Sequence, residues 1–350
     1  MGDGSVIPKF SNMKAFLGIV AGAGASYGIY KLFSGTSFRK NKKSAFNESN
    51  GPKLPHGGMV LQPGSLLAKV SGLDVVRVGE SQAVPDDVES SDIISKSPES
   101  LEPQHLKMLL SLLQNTPNPS ERVQILITLG NTAAFTVNQN LIYELGGIHI
   151  IAGFLSDPVP EVRVQTLNAL NNLSMNLRNQ EQLKVYLAKV LELIEMSPVN
   201  SDLQMAALRL LTNLSVTDNH HHLLKGSVTL LLSLLVVSNQ VLQIQVLKVL
   251  VNLSSDPDMM DDIVQAQAPA SVVLLFDVRT SSPVLLRLLT FAGNLKAWRP
   301  SAQVAEALRR RQDCLYRVLL DKSSLLHSRL SQLLAHPDGE VRAQVAWVLS

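Results

Sequence analysis

One cysteine, Cys314, stands in 350 residues. No internal disulfide framework can form, and this usage suits a reducing compartment. Aromatic residues make up 5% of the chain, with tryptophan only at 298 and 347, so Leu and Val must build the core. Neither sign of charge is in excess: Lys and Arg number 31 against 29 Asp and Glu, a net charge of +2. That removes the global signature of a nucleic-acid-binding surface. The chain has no Gly-rich phosphate loop, no Gly-x-Ser-x-Gly turn and no paired-cysteine motif. His220-His221-His222 is the loudest cluster, placed after Asp218-Asn219 in an expected inter-helix loop. Adjacent residues point in different directions, so one helix face cannot converge all three on a metal. Cys314 falls in an expected helix with Leu315, Val318 and Leu319 and reads as a packing thiol; Arg309-Arg310-Arg311 reads as a solvated helix end. No cofactor, metal or enzymatic activity is expected.

What the chain does have is a repeat. Ala169-Leu-Asn-Asn-Leu-Ser174 recurs as Leu210-Leu-Thr-Asn-Leu-Ser215 and Val249-Leu-Val-Asn-Leu-Ser254. It recurs in worn form at Leu126–Asn131 and Thr290–Leu295. One asparagine marks each copy, Asn131, Asn172, Asn213, Asn252 and Asn294, at steps of 41, 41, 39 and 42 residues. A period near forty implies stacked units that bury one another's apolar faces. Within Glu161–Ser174, Val164, Leu167, Leu170 and Leu173 recur every three residues, which predicts a helix behind Pro158 and Pro160. The same frame predicts helices over Ser201–Ser215, Asn239–Ser254 and Ser282–Ala297. A second apolar helix precedes each unit's long one, at Gln104–Gln114, Ile148–Ser156, Val185–Glu195, Val228–Val237 and Ala270–Asp277. A shorter one, as at Gln139–Leu145, stops at Gly146-Gly147. Three helices per forty residues is the armadillo layout.

Aligned at the asparagine, the five long helices carry Ile127, Asn168, Arg209, Lys248 and Thr290 four residues earlier. Seven residues earlier they carry Gln124, Gln165, Ala206, Gln245 and Arg287. These offsets share one helical face. The result is a mostly polar stripe on otherwise apolar helices, aligned from unit to unit into a groove. Each asparagine either ties off a helix end or loop backbone, or hydrogen-bonds an extended peptide; the two roles are compatible. Arg209 and Lys248, as exposed cations at the centre, predict an acidic or phosphorylated segment as ligand.

Ala15–Tyr30 is sixteen residues without a charge, extending past Lys31 to Phe33. That is at the short end of the roughly 17–25 residues a spanning helix needs. A signal peptide would have an apolar core of only Ala15–Val20. In a secretory lumen Asn172, Asn213 and Asn252 would also be glycan acceptors. A membrane anchor, with a helix over about 13–33, is therefore the preferred reading. Gly18/Gly22 and Gly24/Gly28 form Gly-x-x-x-Gly pairs, which allow self-association through the anchor. Lys31, Arg39, Lys40, Lys42 and Lys43 follow the segment, against Lys9 and Lys14 before it, so the bulk of the chain is expected in the cytosol. Residues 34–100 read as a flexible linker, basic near the anchor and acidic over Glu80–Glu102. The expected architecture is all-α: anchor 1–33, disordered tether 34–100, and an armadillo-type solenoid of about five to six three-helix repeats over 101–350.

Three stretches together carry a resemblance: Leu126–Gln139 with Glu144-Leu-Gly-Gly-Ile148, Ala169–Ser174, and Gln243–Ser254. With the anchor Gly22–Lys31, they resemble the mitochondrial armadillo repeat family, the X-linked Alex proteins and their autosomal relative. That resemblance implies an outer-membrane adaptor facing the cytosol that influences mitochondrial distribution, trafficking and fission. It further implies partners such as Miro GTPases and kinesin adaptors, with no nucleic acid. A soluble cytosolic or nuclear adaptor, or one in the endoplasmic reticulum membrane, is the alternative. Nuclear-import armadillo receptors hold lysines with a Trp four residues before the asparagine. No Trp stands at those five positions here, so import of basic signals is not expected.

Overall fold

A computed structural model describes residues 103–350, which form one compact unit. The anchor glycines Gly18, Gly22, Gly24 and Gly28, and the 34–100 tether, lie outside the described residues. The chain runs as α1 (Pro103–Asn115), α2 (Pro119–Thr132), α3 (Thr136–Glu144) and α4 (Gly147–Ala152). There follow α5 (Pro160–Leu173), α6 (Leu177–Leu183), α7 (Leu187–Met196), α8 (Asp202–Leu214) and α9 (Val228–Val237). The remainder is α10 (Gln240–Ser254), α11 (Met260–Gln265), α12 (Ser282–Ala297), α13 (Ala302–Arg310), α14 (Leu326–Leu333) and α15 (Gly339–Leu349). Short 3-10 segments join several of them, at Gly153–Ser156, Lys184–Tyr186, Asp218–Ser227, Pro257–Met259 and Ala270–Leu275.

Local chemistry sets the ends of the long helices. Pro119, Pro160 and Pro283 sit in first turns, where a missing N–H costs nothing. Asn118, Ser201 and Asn239 cap α2, α8 and α10, each side-chain oxygen accepting a first-turn N–H at 3.0–3.2 Å. Gly146, at φ 66°, takes the left-handed turn that ends α3. Gly147 after it has no room for a side chain, since a Cβ would meet Ile142 and Leu110 at 2.8 Å.

The long helices α2, α5, α8, α10, α12 and α15 stack in that order, and α1, α7, α9 and α14 back them. Leu126, Leu167, Leu208, Leu247 and Leu288 are fully buried between these layers. The expected helix over Ala270–Asp277 is instead a 3-10 turn, Ala270–Leu275. Its approach is extended and paired: Ala268 donates to the Asp313 carbonyl and Leu315 to that of Ala266, both at 2.9 Å, with a bridge between Gln267 and Cys314. Buried Phe276 closes the far end. Cys314 accordingly lies in this bridge and not in the expected helix, although it is buried as foreseen. Asp218–Val237 is long and apolar enough to cross a membrane, but half of it is buried and α9 packs on α10, as a core helix does.

Helix α15 is a sixth member of the ladder. Its Arg342 donates to the carbonyls of His336 and Pro337, as Arg163 at the start of α5 donates to those of Asp157 and Pro158. In that register Trp347 occupies the place of Asn168. Trp347 is therefore in the ladder, which the five-asparagine alignment missed. Gly293 of α12 makes room for it, because a Cβ there would overlap the six-membered ring of the indole. Gly293→Ala should lower the stability of the array by about 1–3 kcal/mol, against the gain of about 1 kcal/mol normal for this change in a helix. Thermal unfolding checks it. In a Trp347→Ala background the same substitution should become neutral or stabilising.

Candidate functional site: the face of the stacked long helices

The last carbonyls of a helix have no partner within it. In this array they receive side-chain donors from about forty residues further along. Asn172 Nδ2 donates to the Gly130 carbonyl at 2.9 Å, Asn213 Nδ2 to that of Asn171 at 3.1 Å, and Asn252 Nδ2 to that of Thr212 at 3.4 Å. Serine hydroxyls add to this: Asn213 reaches Ser174 Oγ, Asn252 reaches Ser215 Oγ and Asn294 reaches Ser254 Oγ, each at 3.0 Å. Asn172, Asn213 and Asn252 thus do tie off helix ends, but those of the preceding repeat. Their nitrogens are committed. The oxygens Oδ1 of Asn213, Asn252 and Asn294, on half-buried residues, accept no hydrogen bond among the described residues. Asn172 is buried and its Oδ1 takes a weak contact from Asn171 at 3.4 Å; Asn131 Oδ1 is buried without a partner. The part of the ladder able to accept a bond from outside is its centre.

A second row of side chains performs the same service from below. Gln139 Nε2 donates to the carbonyls of Ala133 and Asn172 at 2.9 and 3.1 Å. Gln180 Nε2 donates to those of Ser174 and Asn213 at 2.8 and 3.2 Å. The next position in this period of 41 is His221. Its Nε2 lies 2.8 Å from the Ser215 carbonyl and its Nδ1 2.8 Å from the Asp256 carboxylate. His220 replaces Asn138 and Asn179, and contacts Thr217 and Glu181, both at 3.2 Å. The histidine cluster lies in a 3-10 segment, Asp218–Ser227, rather than a loop, and two of its members stand in for an Asn-Gln pair. Asp218, His221 and Asp256 bring ligand-type atoms within 4.8 Å of one another, yet both ring nitrogens of His221 serve the repeat junction. The spacing of Asn138-Gln139, Asn179-Gln180 and His220-His221 was the sequence signal for this row.

Beside the asparagines the stripe changes character along the array. At α5 it is self-satisfied: Glu161 accepts from Gln165 Nε2 at 2.7 Å, and Gln165 from Asn168 Nδ2 at 3.2 Å. At α8, α10 and α12 it becomes cationic, through Arg209, Lys248 and Arg287, with Gln245 and Thr290 half-buried beside them. The expectation that Arg209 and Lys248 are exposed does not hold: both are partly buried. Arg287 is buried, and its Nη1 donates to the Pro283 carbonyl at 2.6 Å. Burial, then Arg287, then Arg209 push the Lys248 ammonium down to about 8. Burial also lowers Arg209, which Asp202 of its own helix partly offsets, and it lowers Arg287. Neither Arg209 nor Lys248 forms an ion pair or hydrogen bond among the described residues.

This arrangement costs folding energy in a definite pH window. The folded chain releases the Lys248 proton near pH 8, whereas an unfolded lysine keeps it to about 10.4. Between those values the unfolded state binds more protons, so stability rises with pH. Lys248→Met should raise stability at pH 7 by roughly 1–3 kcal/mol. The gain should shrink as pH climbs from about 8 toward 10, which denaturant titrations of the two proteins across pH measure.

A model described as armadillo-like matches residues 101–320. Solved structures share the architecture. One is a set of computationally designed armadillo repeat proteins for modular peptide recognition, 18% identical, TM-score 0.59, covering 70% of this chain and 98% of that one. Another is a designed armadillo repeat protein in complex with the peptide (KR)4, 16% identical, TM-score 0.56, with the same coverages of 70% and 98%. At such identities the likeness shows the fold alone. The stacked long helices, the asparagine ladder and the match over most of the described residues lead to one conclusion: the chain belongs to the armadillo-like family.

Proposed function

We propose that this protein is a non-enzymatic adaptor, anchored in the mitochondrial outer membrane by its N-terminal segment, whose armadillo array captures partner proteins along the asparagine-lined groove. The observation that carries the binding role is the row of acceptor oxygens on Asn213, Asn252 and Asn294. An extended segment needs acceptors for its backbone N–H groups, and main-chain bonds supply affinity independent of its side chains. The designed armadillo proteins for peptide recognition support this use of the fold.

The anchoring and the location rest on the sequence. Ala15–Phe33 with its basic flank supports an anchor. A short span suits a thin membrane better than the plasma membrane. Resemblance to the Alex proteins, and by its short tether more to armadillo repeat-containing protein 10, supports a role in mitochondrial distribution, trafficking and fission. The same resemblance suggests Miro GTPases and kinesin adaptors as partners.

Deleting residues 1–35 should move the protein from the carbonate-resistant membrane fraction to the cytosol. Replacing Val20 and Ala25 with Arg should do likewise, at about 2.5–3.5 kcal/mol for each charge in the span. Retention of the deletion variant on mitochondria would refute the anchor as the sole determinant.

The orientation has its own test. Protease added to intact mitochondria should remove a C-terminal tag, since the greater positive charge lies after the anchor. A tag that survives until the outer membrane is ruptured would reverse the topology.

A further inference from the structure

Three successive rungs of the groove, α8, α10 and α12, each contribute one cation: Arg209, Lys248 and Arg287. They come from helices that pack directly on one another. Like charges drawn together and partly buried oppose folding, and surface lysines ordinarily avoid this by reaching into water. Lys248 sits between the other two, and both repel its charge. Among the described residues no carboxylate pairs with it. On α8 the charged residues are Asp202 and Arg209, and Asp202 acts on Arg209. Helix α9 carries no charged residue, α12 adds only Arg287 and Lys296, and Asp256, held by His221, and Asp258 follow α10 at its C-terminal end. Other acids of the array do find cations, as Asp157 with Arg122 at 2.8 Å and Asp277 with Arg329 at 3.0 Å. The same three rungs hold the asparagine oxygens that accept nothing among the described residues.

We propose that Arg209 and Lys248, with Arg287 adding its field beside them, form an anion site at the centre of the groove, which takes a carboxylate-rich extended segment of a partner protein with Lys248 as the residue that reads its charge. This deepens the groove reading above and rests on it. The segment's backbone N–H groups meet Asn213, Asn252 and Asn294, and its acidic side chains meet the cations, so one pose satisfies both rows. The anion relieves the repulsion among the cations and favours the charged amine, so binding takes up a proton at Lys248. Since the free amine titrates near 8, affinity falls as pH rises through that value. The arginines keep their charge throughout. The polarity is opposite to that of the designed relative, which binds (KR)4.

The test is fluorescence anisotropy on the full chain in uncharged detergent, at low salt, with three labelled octapeptides: eight glutamates, alternating Lys-Arg, and alternating Ala-Gln. The octaglutamate should bind best. Lys248→Met should weaken it about tenfold at pH 7, while the variant folds at least as well as wild type. Wild-type affinity should drop by roughly threefold to tenfold between pH 7 and 9.5, and the variant's should stay flat. The basic flank of the anchor is common to both proteins, so the difference between them isolates the groove. If Lys248→Met binds octaglutamate as wild type does, with the same pH slope, the anion site is overturned. Equal or tighter binding of the neutral or Lys-Arg peptide overturns the charge assignment but leaves the groove standing. If none of the three peptides binds, the groove reading falls with it.

Discussion

The junctions from α2 to α10 depend on side-chain donors reaching the unpaired carbonyls at the end of the preceding long helix. A buried carbonyl without a partner costs on the order of 1–3 kcal/mol. The C-terminus of α5 shows the accounting: the Leu170 carbonyl accepts from the Ser174 N–H, that of Asn171 from Asn213, that of Leu173 from Asn179, and that of Ser174 from Gln180. Two of these four bonds come from side chains within the same repeat and one from the next. The helix end is complete only when its neighbour is stacked. This couples polar satisfaction to repeat order, where apolar packing alone would tolerate sliding.

That constraint shapes the groove. Because the Nδ2 groups of Asn213, Asn252 and Asn294 are taken by the preceding repeat, these three rungs are left with their oxygens to offer. They form an acceptor surface, suited to the N–H side of an extended chain. The constraint also explains the histidines. His221 replaces the glutamine of the earlier repeats because an imidazole, like a primary amide, can engage two partners from one side chain. Asp256 supplies the second partner where earlier repeats used a main-chain carbonyl.

The cationic rungs are the opposite case. The amide nitrogens of these rows find carbonyl or hydroxyl partners, whereas Arg209 and Lys248 are drawn into partial burial with no partner among the described residues. Cations held in place against folding energy are where function is sought. The stripe divides accordingly: α5 closes on itself through Glu161, Gln165 and Asn168, while Arg209 and Lys248 on α8 and α10 make no such bond among the described residues.

The period, the helix class and most boundaries were legible in the chain itself, because their causes act within one helical turn. Proline in the first turn, Ser201 and Asn239 as caps, Gly146 as a left-handed stop and the threefold apolar spacing are all local. The stripe was legible for the same reason, as offsets of zero, four and seven share a face. Partners across the junction were not legible, since Asn172 and Gly130 meet 42 residues apart. Only tertiary structure decided which atom of each asparagine is committed, that His220-His221 continue an Asn-Gln row, and that Trp347 belongs to a sixth rung. The depth of Lys248 was also decided there: the burial of a side chain and the field upon it are set by the helices on either side, α8 and α12, and not by its own.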